Sequence, residues 1–549
     1  MIHNLSLAAV ALVLSSTAAA AQCSLQRLAA LHPNECEQFG KSVSLDGNIL
    51  AVGAHAATDD PVLPCATGPG GVYVFERVGL SWLERQRLAP ADGTTGDEFG
   101  NIVSVSGNRI VVGAEQHGTA AGSKAGAAYV YELQAGVWNE VAKLAPDDAV
   151  GGHYFARSVS ISGDTIMCGT RFDKDLGNQA GAAYIFQRLE TGEWVQEAKV
   201  HASDGETKDL FGNAVAIDGT TAVSGAYFKE GSSGNKAGAA YVYERVGSTW
   251  VETAKLEASD QEGGAEFGRY VAVEGDRILV GARSHGGPGA AYVYERSGGS
   301  WVETAKLTPD DGDTGDQFGE TVALDGNRAI VGARNYDPPL AAGAAYVFEL
   351  QGASWNQIAK LTSPTPAVGA KLGHGVAMRG NVVVAGAPYD LHNYGSASVY
   401  SLGGPCGGTP YGAVNPPGSL VLISGGATVG SAIELGLDNP LGTQNPGALP
   451  VLLVALAPAP GFPSGLLVPG FGMEGVGAIG ELLIAAPAVD PILGPAWSGA
   501  GTPASITIPI PGEPVVEGLS FYVQGLLYDP TPGAPALGFT GAYGFTIAP

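Results

Sequence analysis

Arginine recurs at two positions that are set by short repeated motifs. Phe-Gly, or a near match, returns about every 55 residues, and Gly-Ala or Gly-Thr follows it about 14 residues later. The residue after these motifs is most often arginine, at Arg157, Arg171, Arg269, Arg283 and Arg334. A guanidinium group presents a planar fork of donors that suits carboxylate and sulfate groups. The pattern therefore predicts an anion-binding site.

The elements that position these arginines are short strands. In each copy two β-rich runs flank a glycine turn, such as Ser106-Gly107, which is typical of a hairpin. A third strand follows, and a fourth begins at a tryptophan such as Trp138. Seven copies of four antiparallel strands predict an all-β fold with a seven-bladed β-propeller over residues 22–403. The seventh copy lacks a fourth strand, and residues 25–31 are predicted to supply it beside Tyr400.

In a propeller, the residues after both motifs are expected to face one rim of the central channel. After Phe-Gly or its equivalent come Lys41, Asn101, Arg157, Asn213, Arg269, Glu320 and His374. After Gly-Ala or its equivalent come His55, Glu115, Arg171, Tyr227, Arg283, Arg334 and Pro388. The predicted ligand-binding residues are Arg157, Arg171, Arg269, Arg283, Arg334, Tyr227 and His55. In the alternative interpretation the arginines only brace the loops, by pairing with Asp97, Asp209, Glu266 and Asp316.

Five cysteines stand in a chain whose first 21 residues resemble a secretory signal peptide, with an apolar stretch at 5–14 and a run of alanines at 18–21. Alignment of the repeats predicts a disulfide between Cys23 and Cys406, which would lock blade seven, and a second between Cys36 and Cys65. Cys168 is predicted to be a buried free thiol. We therefore expect a protein that is secreted or displayed at the cell surface.

The composition and the motifs that are absent argue against several classes of function. The net charge is −25 and the pI is about 4.6, which disfavours a nucleic-acid binder. No segment after the signal has the length and composition of a transmembrane helix. There is no zinc-protease, serine-hydrolase, phosphate-loop or Cys-x-x-Cys motif, so we expect no catalytic residues and no cofactor.

The last part of the chain differs from the repeats. Residues 404–549 contain no Lys, Arg or His, and Pro and Gly separate short apolar runs at 419–424, 432–437, 451–456, 482–485, 504–509 and 519–527. This pattern predicts an antiparallel β-sandwich. By analogy with apolar tails of secreted repeat proteins, this domain is a candidate for attachment to the cell envelope.

The repeats resemble FG-GAP repeats, which occur in the integrin α-chain propeller and in secreted bacterial proteins. The motif residues are Phe99-Gly100 with Gly113-Ala114, and Gly386-Ala387-Pro388. Residues 92–100 and 311–319 carry versions of the bacterial form, Asp-Gly-x-x-Gly-Asp-x-Phe-Gly. The resemblance implies a seven-bladed propeller, extracellular adhesion or ligand binding, and no enzyme activity.

Integrin-type calcium loops are not expected here, because the turn between the first two strands carries at most one acidic residue, as in Asp325-Gly326. Another acidic group comprises Asp310, Asp311, Asp313 and Asp316. It is a weak candidate for calcium, and a solvated turn is the favoured interpretation.

The sequence thus favours a secreted or cell-surface binding and adhesion module that recognises an extracellular glycan or protein through one propeller face. Two alternatives stay open. One is an extracellular polysaccharide-active enzyme that uses the same face. The other is a structural envelope component that assembles through residues 404–549.

Overall fold

The computed structural model describes residues 22–30, 37–57, 68–78, 81–234, 236–336, 340–363, 366–402, 409–411, 420–425, 431–439, 446–455, 466–469, 479–482, 492–500, 502–509, 520–529 and 537–546. The predicted signal segment, 1–21, lies outside these residues, as do Cys36, Cys65 and Cys406. The signal peptide and both disulfides therefore stay predictions. Cys168 is a buried free thiol, as expected.

The repeats form seven sheets of four antiparallel strands, which confirms the predicted all-β propeller architecture. We number the sheets as blades 1–7 in chain order. Blade 1 comprises Ser42–Asp46, Ile49–Ala54, Gly71–Val78 and Ser81–Leu88. Blade 2 comprises Ile102–Ser106, Arg109–Ala114, Ala127–Gln134 and Val137–Leu144. Blade 3 comprises Ser158–Ser162, Thr165–Thr170, Ala182–Arg188 and Trp194–Val200. Blade 4 comprises Ala214–Asp218, Thr221–Ala226, Ala239–Val246 and Thr249–Leu256. Blade 5 comprises Phe267–Glu274, Arg277–Ala282, Ala290–Ser297 and Ser300–Leu307. Blade 6 comprises Phe318–Asp325, Arg328–Ala333, Ala344–Gln351 and Ser354–Leu361.

Blade 7 takes strands from both ends of the repeat region. Gly375–Arg379, Val382–Ala387 and Ser396–Leu402 pair in order, and Gln22–Leu28 pairs antiparallel with Ser396–Leu402. Ser24 lies opposite Tyr400, and a register shift follows between Ser24 and Gln26. The strand begins and ends three residues earlier than the predicted 25–31, since residues 29 and 30 have already left the sheet. A short helix, Asp390–Asn393, precedes the third strand.

The first strands of neighbouring blades contact each other around the ring, and those of blades 7 and 1 do so as well. The glycine of Gly-Ala lies against the backbone carbonyl of the residue after Phe in the next blade. A Cβ on Gly53 would come 2.0 Å from the Gly100 oxygen, and one on Gly386 would come 2.0 Å from the Gly40 oxygen. These blade-to-blade contacts leave no room for any side chain, because real Cβ atoms do not approach that closely.

Aromatic rings fill the wider space further out. Phe99 packs edge-on against Tyr129 and Tyr131 of its own blade, with ring centroids 5.5 and 6.2 Å apart. Five other blades repeat this contact, and blade 7 substitutes Leu372, which is fully buried. The predicted core role holds for the Phe rings and for Trp82, Trp138 and Trp250, which are buried. The other repeat tryptophans, Trp194, Trp301 and Trp355, are half-buried.

A polar brace ties the loop that enters a blade to its third and fourth strands. In blade 5, the hydroxyl of Tyr292 donates to Asp260 Oδ1 at 2.7 Å and Lys306 Nζ donates to Asp260 Oδ2 at 2.7 Å. The other copies are Asp92–Tyr129–Lys143, Asp148–Tyr184–Lys199, Asp204–Tyr241–Lys255 and Asp311–Tyr346–Lys360. Because the same contact recurs from blade to blade, it holds these loops in place around the rim that carries the Phe-Gly residues.

The described residues of the tail form three further sheets. One contains Thr409–Tyr411, Leu537–Thr546, Ser520–Tyr528, Leu449–Ala455 and Ile492–Leu493 in that order; the others contain Leu420–Gly425, Ala432–Leu437 and Ala504–Pro509, and Leu466–Pro469 with Ile479–Leu482. Leu435 and Ile506 of the second sheet share a buried cluster with Leu452 and Val523 of the first. Two sheets joined by one apolar core match the predicted β-sandwich.

The glycine contacts generate the first prediction. Gly225→Ala should lower the free energy of unfolding by about 2–3 kcal/mol, because its Cβ would lie 1.9 Å from the Gly268 oxygen and the backbone must move. Gly118→Ala is the control, since nothing lies within 4 Å of its Cβ position. Chemical denaturation of both variants measures the difference. Equal stability of the two variants would contradict the packing role of the motif.

Candidate functional site

The residues that follow Phe-Gly converge on one cavity at the centre of the ring. The cavity has a volume of about 270 Å³. All seven predicted positions line it, namely Lys41, Asn101, Arg157, Asn213, Arg269, Glu320 and His374. We call these residues the inner ring. Each stands directly before or within the first strand of its blade, after a residue of positive φ such as Gly100 at 88°. That turn directs the chain into the innermost strand, so the next residue reaches the channel.

The cavity is cationic although the protein is acidic. Its lining includes Lys41, Arg157, Arg269 and Arg334 but the single carboxylate of Glu320. Arg334 comes from the set that follows Gly-Ala, which we call the outer ring: His55, Glu115, Arg171, Tyr227, Arg283, Arg334 and Pro388. The prediction that both sets approach one rim therefore agrees with the structure, but the inner ring supplies almost all of the lining.

Two predicted arginines are braced by carboxylates. Arg283 Nε lies 2.7 Å from Glu266 Oε2, and its Nη1 lies 2.9 Å from Glu320 Oε2. Arg334 Nη1 lies 3.0 Å from Glu320 Oε1, and its Nε donates to Gln317 at 2.7 Å. Glu320 is thus buried between two cations, which compensate its charge at the cavity wall.

The bracing alternative therefore describes Arg283 and Arg334, but three of the four partners proposed from the sequence are engaged elsewhere. Asp97 pairs with His117, Asp209 pairs with Lys229, and Asp316 accepts the backbone N–H of Asp313. Of the four acidic residues named from the sequence, Glu266 is the one that contacts a ring arginine. The other bracing carboxylate, Glu320, is itself a ring residue.

The remaining three arginines are paired more weakly. Arg157 Nη1 and Arg171 Nη2 lie 3.7 and 3.5 Å from the two oxygens of Glu115. Arg269 has no carboxylate partner among the described residues, and its guanidinium lies 4.6 Å from the ring centroid of Tyr227. In the part of the chain that the structure describes, the buried Nε atoms of Arg157, Arg171 and Arg269 have no hydrogen-bond partner.

The two histidines of the site are held neutral. Burial, followed by the charges of Lys41 and Arg157, lowers the pKa of His55 to about 3. Burial also holds the pKa of His374 well below its ordinary value, and Lys41 and Arg334 add to the effect. His374 Nδ1 lies 3.2 Å from the Lys41 carbonyl and Nε2 lies 3.5 Å from Lys41 Nζ, which fits a neutral ring that donates through Nδ1 and accepts at Nε2.

A third position on the rim escaped sequence reasoning. The residue before each Phe, or before Leu372, adopts a left-handed conformation with φ between 56° and 60° in Gln38, Glu98, Tyr154, Leu210, Glu266, Gln317 and Lys371. Most of these side chains contact the outer ring or its neighbours: Tyr154 packs on Phe172 with centroids 5.1 Å apart, and Arg171 lies 4.8 Å from the Phe172 centroid. Tyr154 and Phe172 are both partly exposed. The sequence signal that could have identified these residues is their fixed place directly before the repeated Phe.

The acidic group before blade 6 does not come together as a cation site in the structure. Asp311 belongs to the polar brace with Tyr346 and Lys360, and Asp316 caps the backbone of Asp313. Within the described ranges, the group whose ligand atoms do converge is Asp173, Asp175 and His201. Lys199 Nζ lies 3.0 and 2.6 Å from those two aspartates and already supplies a positive charge there.

A family model described as FG-GAP repeat matches the chain at residues 24–75, 82–131, 138–186, 194–243, 250–294, 301–348 and 355–400. The chain belongs to the FG-GAP repeat family. FG-GAP repeats are typical of extracellular binding modules built as propellers. No helix in the described part of this FG-GAP protein has the length and hydropathy needed to cross a membrane.

No curated protein matches this FG-GAP protein. A chain in the solved structure titled "Crystal Structure of Mitotic Checkpoint Complex" is similar at 12% identity, over 73% of this chain and 99% of that chain, with a TM-score of 0.41. A similarity at that level carries no argument about function.

The electrostatics of the site generate the second prediction. Burial and the neighbouring Arg157 charge lower the pKa of Lys41 to about 8, and Arg334 acts in the same direction, against Glu98 and Glu320. Arg157→Gln removes a like charge, so the pKa of Lys41 should rise toward its ordinary value. NMR titration of labelled lysines measures the pKa, with Lys41→Met for assignment and Arg277→Gln, at the other end of blade 5, as the control. A wild-type value at the ordinary 10.4 or so would contradict the burial of Lys41.

Proposed function

We propose that this protein is an extracellular binding module that recognises an acidic glycan through the inner ring and the adjoining arginines of the outer ring. We call this set the cationic mouth. The observation that carries the proposal is a channel cavity with four cations and one internally compensated carboxylate, in a protein of net charge −25. Buried cations without full pairing cost solvation free energy, and an anionic ligand would recover it.

The rim favours a glycan over a peptide carboxylate. Partly exposed aromatic rings, Tyr154 and Phe172, flank Arg171, and Phe228 packs on Tyr227 with centroids 4.4 Å apart. Aromatic faces provide apolar area at a low entropy cost and suit the flat faces of sugar rings, while the arginines suit acidic groups. Arginine and aromatic side chains are neighbours within blade 3, and Tyr227 of blade 4 lies beside Arg269 of blade 5.

The site also argues for binding without turnover. Glu320 is paired with Arg283 and Arg334, and Glu115 lies between Arg157, Arg171 and Asn101, whose Nδ2 donates to it at 3.1 Å. Both carboxylates are therefore already engaged with cationic or amide side chains of the mouth. This arrangement supports recognition of charge as the role of the mouth.

The third prediction concerns this binding. Oligogalacturonate immobilised on a sensor should bind the full chain, and neutral maltoheptaose should not. Arg157→Gln/Arg269→Gln should weaken binding at least tenfold, because each charge-assisted hydrogen bond contributes about 1.5–3 kcal/mol. The control Arg277→Gln, whose guanidinium pairs with Glu295, should bind like the wild type.

Two outcomes would overturn the proposal. Binding that the double variant leaves unchanged would place the site away from the mouth. Selective capture of peptides that carry free carboxylates, with no binding to acidic glycans, would replace the glycan by a protein ligand.

A further inference from the structure

The channel cavity is too small for an oligosaccharide. Its volume of about 270 Å³ lies just below the lower limit of about 300 Å³ for pockets that enclose drug-sized ligands. A single sugar unit or a smaller group fits this size. Because the first strands of all seven blades surround it, the remainder of any longer ligand must lie on the rim.

The donors in the cavity come from alternating blades. Lys41, Arg157 and Arg269 belong to blades 1, 3 and 5, and all three line the cavity. The buried Nε atoms of Arg157 and Arg269 have no hydrogen-bond partner within the described residues. The negative charge of Glu320 is taken up by Arg283 and Arg334, so it does not cancel these donors.

An acceptor lies between the two arginines along the ring. Asn213 of blade 4 is 5% exposed and lines the cavity. Its Nδ2 donates to the backbone oxygen of Arg269 at 3.2 Å, which fixes the amide orientation. Its Oδ1 is buried and receives no hydrogen bond from any described residue. An orphaned acceptor of this kind costs free energy unless a ligand or water donates to it.

We propose that this cavity is a subsite for one acidic sugar unit, whose anionic group is bound by Arg157 and Arg269 and whose neighbouring hydroxyl donates to Asn213 Oδ1. The inference rests on the proposed function and deepens it. An anion alone would satisfy the arginines but would supply no donor to Asn213 Oδ1. A neutral sugar would satisfy Asn213 and leave the arginines unpaired.

The fourth prediction is a ranking of small ligands, measured by calorimetry on the full chain at constant ionic strength. Glucuronate should bind, acetate and sulfate should bind at least fivefold more weakly, and glucose should not bind measurably. Arg157→Gln and Arg269→Gln should each weaken glucuronate binding at least tenfold, with Arg277→Gln as the unchanged control. Asn213→Leu should bring glucuronate down to the affinity of acetate.

A variant that is expected to bind more tightly separates an effect on the site from a loss of folding, because an unfolded protein cannot gain affinity. Glu115→Gln removes the carboxylate near Arg157 and Arg171 and should tighten glucuronate binding at least threefold. Weaker or unchanged binding would overturn the subsite. So would equal affinity for sulfate and glucuronate, which would identify a simple anion site. If oligogalacturonate binds while glucuronate does not, the subsite fails and the proposed function stands; if neither binds, both fail.

Discussion

The structure depends on one steric constraint, the contact between a glycine of one blade and a backbone carbonyl of the next. Around the ring, a Cβ on the Gly-Ala glycine would come within 1.9–2.3 Å of that oxygen, including the step from blade 7 to blade 1. Packing this close lets first strands from seven blades meet around a narrow channel. The motif glycines therefore serve packing, and ligand specificity is left to the residues that vary between copies.

The same constraint builds the cavity. The residue after Phe, or after Leu372 in blade 7, has positive φ in every blade, and this turn starts the innermost strand. These residues are Gly40, Gly100, Ala156, Gly212, Gly268, Gly319 and Gly373. The next residue then lines the channel whatever its chemistry. Burial at this place lowers the pKa of two side chains that become neutral when they lose a proton: the pKa of Lys41 falls to about 8, and that of His374 falls well below its ordinary value.

The sequence predicted what is local and periodic. Hairpin glycines, seven blades and the ring positions all follow from spacing, and Gly107 indeed has a φ of 57°. The pairing of the arginines could not be predicted from sequence position. Asp97 and Asp209 stand shortly before the ring positions of their own blades but pair with His117 and Lys229, whereas Glu320 reaches Arg283 across a blade boundary. In the tail, the strands Ala432–Leu437 and Ala504–Pro509 were placed correctly. The strand Leu537–Thr546 was not predicted, because its glycines are unusual in a strand and interrupt the run of apolar residues.

A crystal structure of the full chain with glucuronate most directly tests whether the ring of blades creates an anion site at its centre. The expected result is one sugar in the channel cavity, with its carboxylate within hydrogen-bond distance of Arg157 and Arg269 and a hydroxyl on Asn213 Oδ1. A cavity that holds only water, with the sugar absent or bound at another surface, would contradict it.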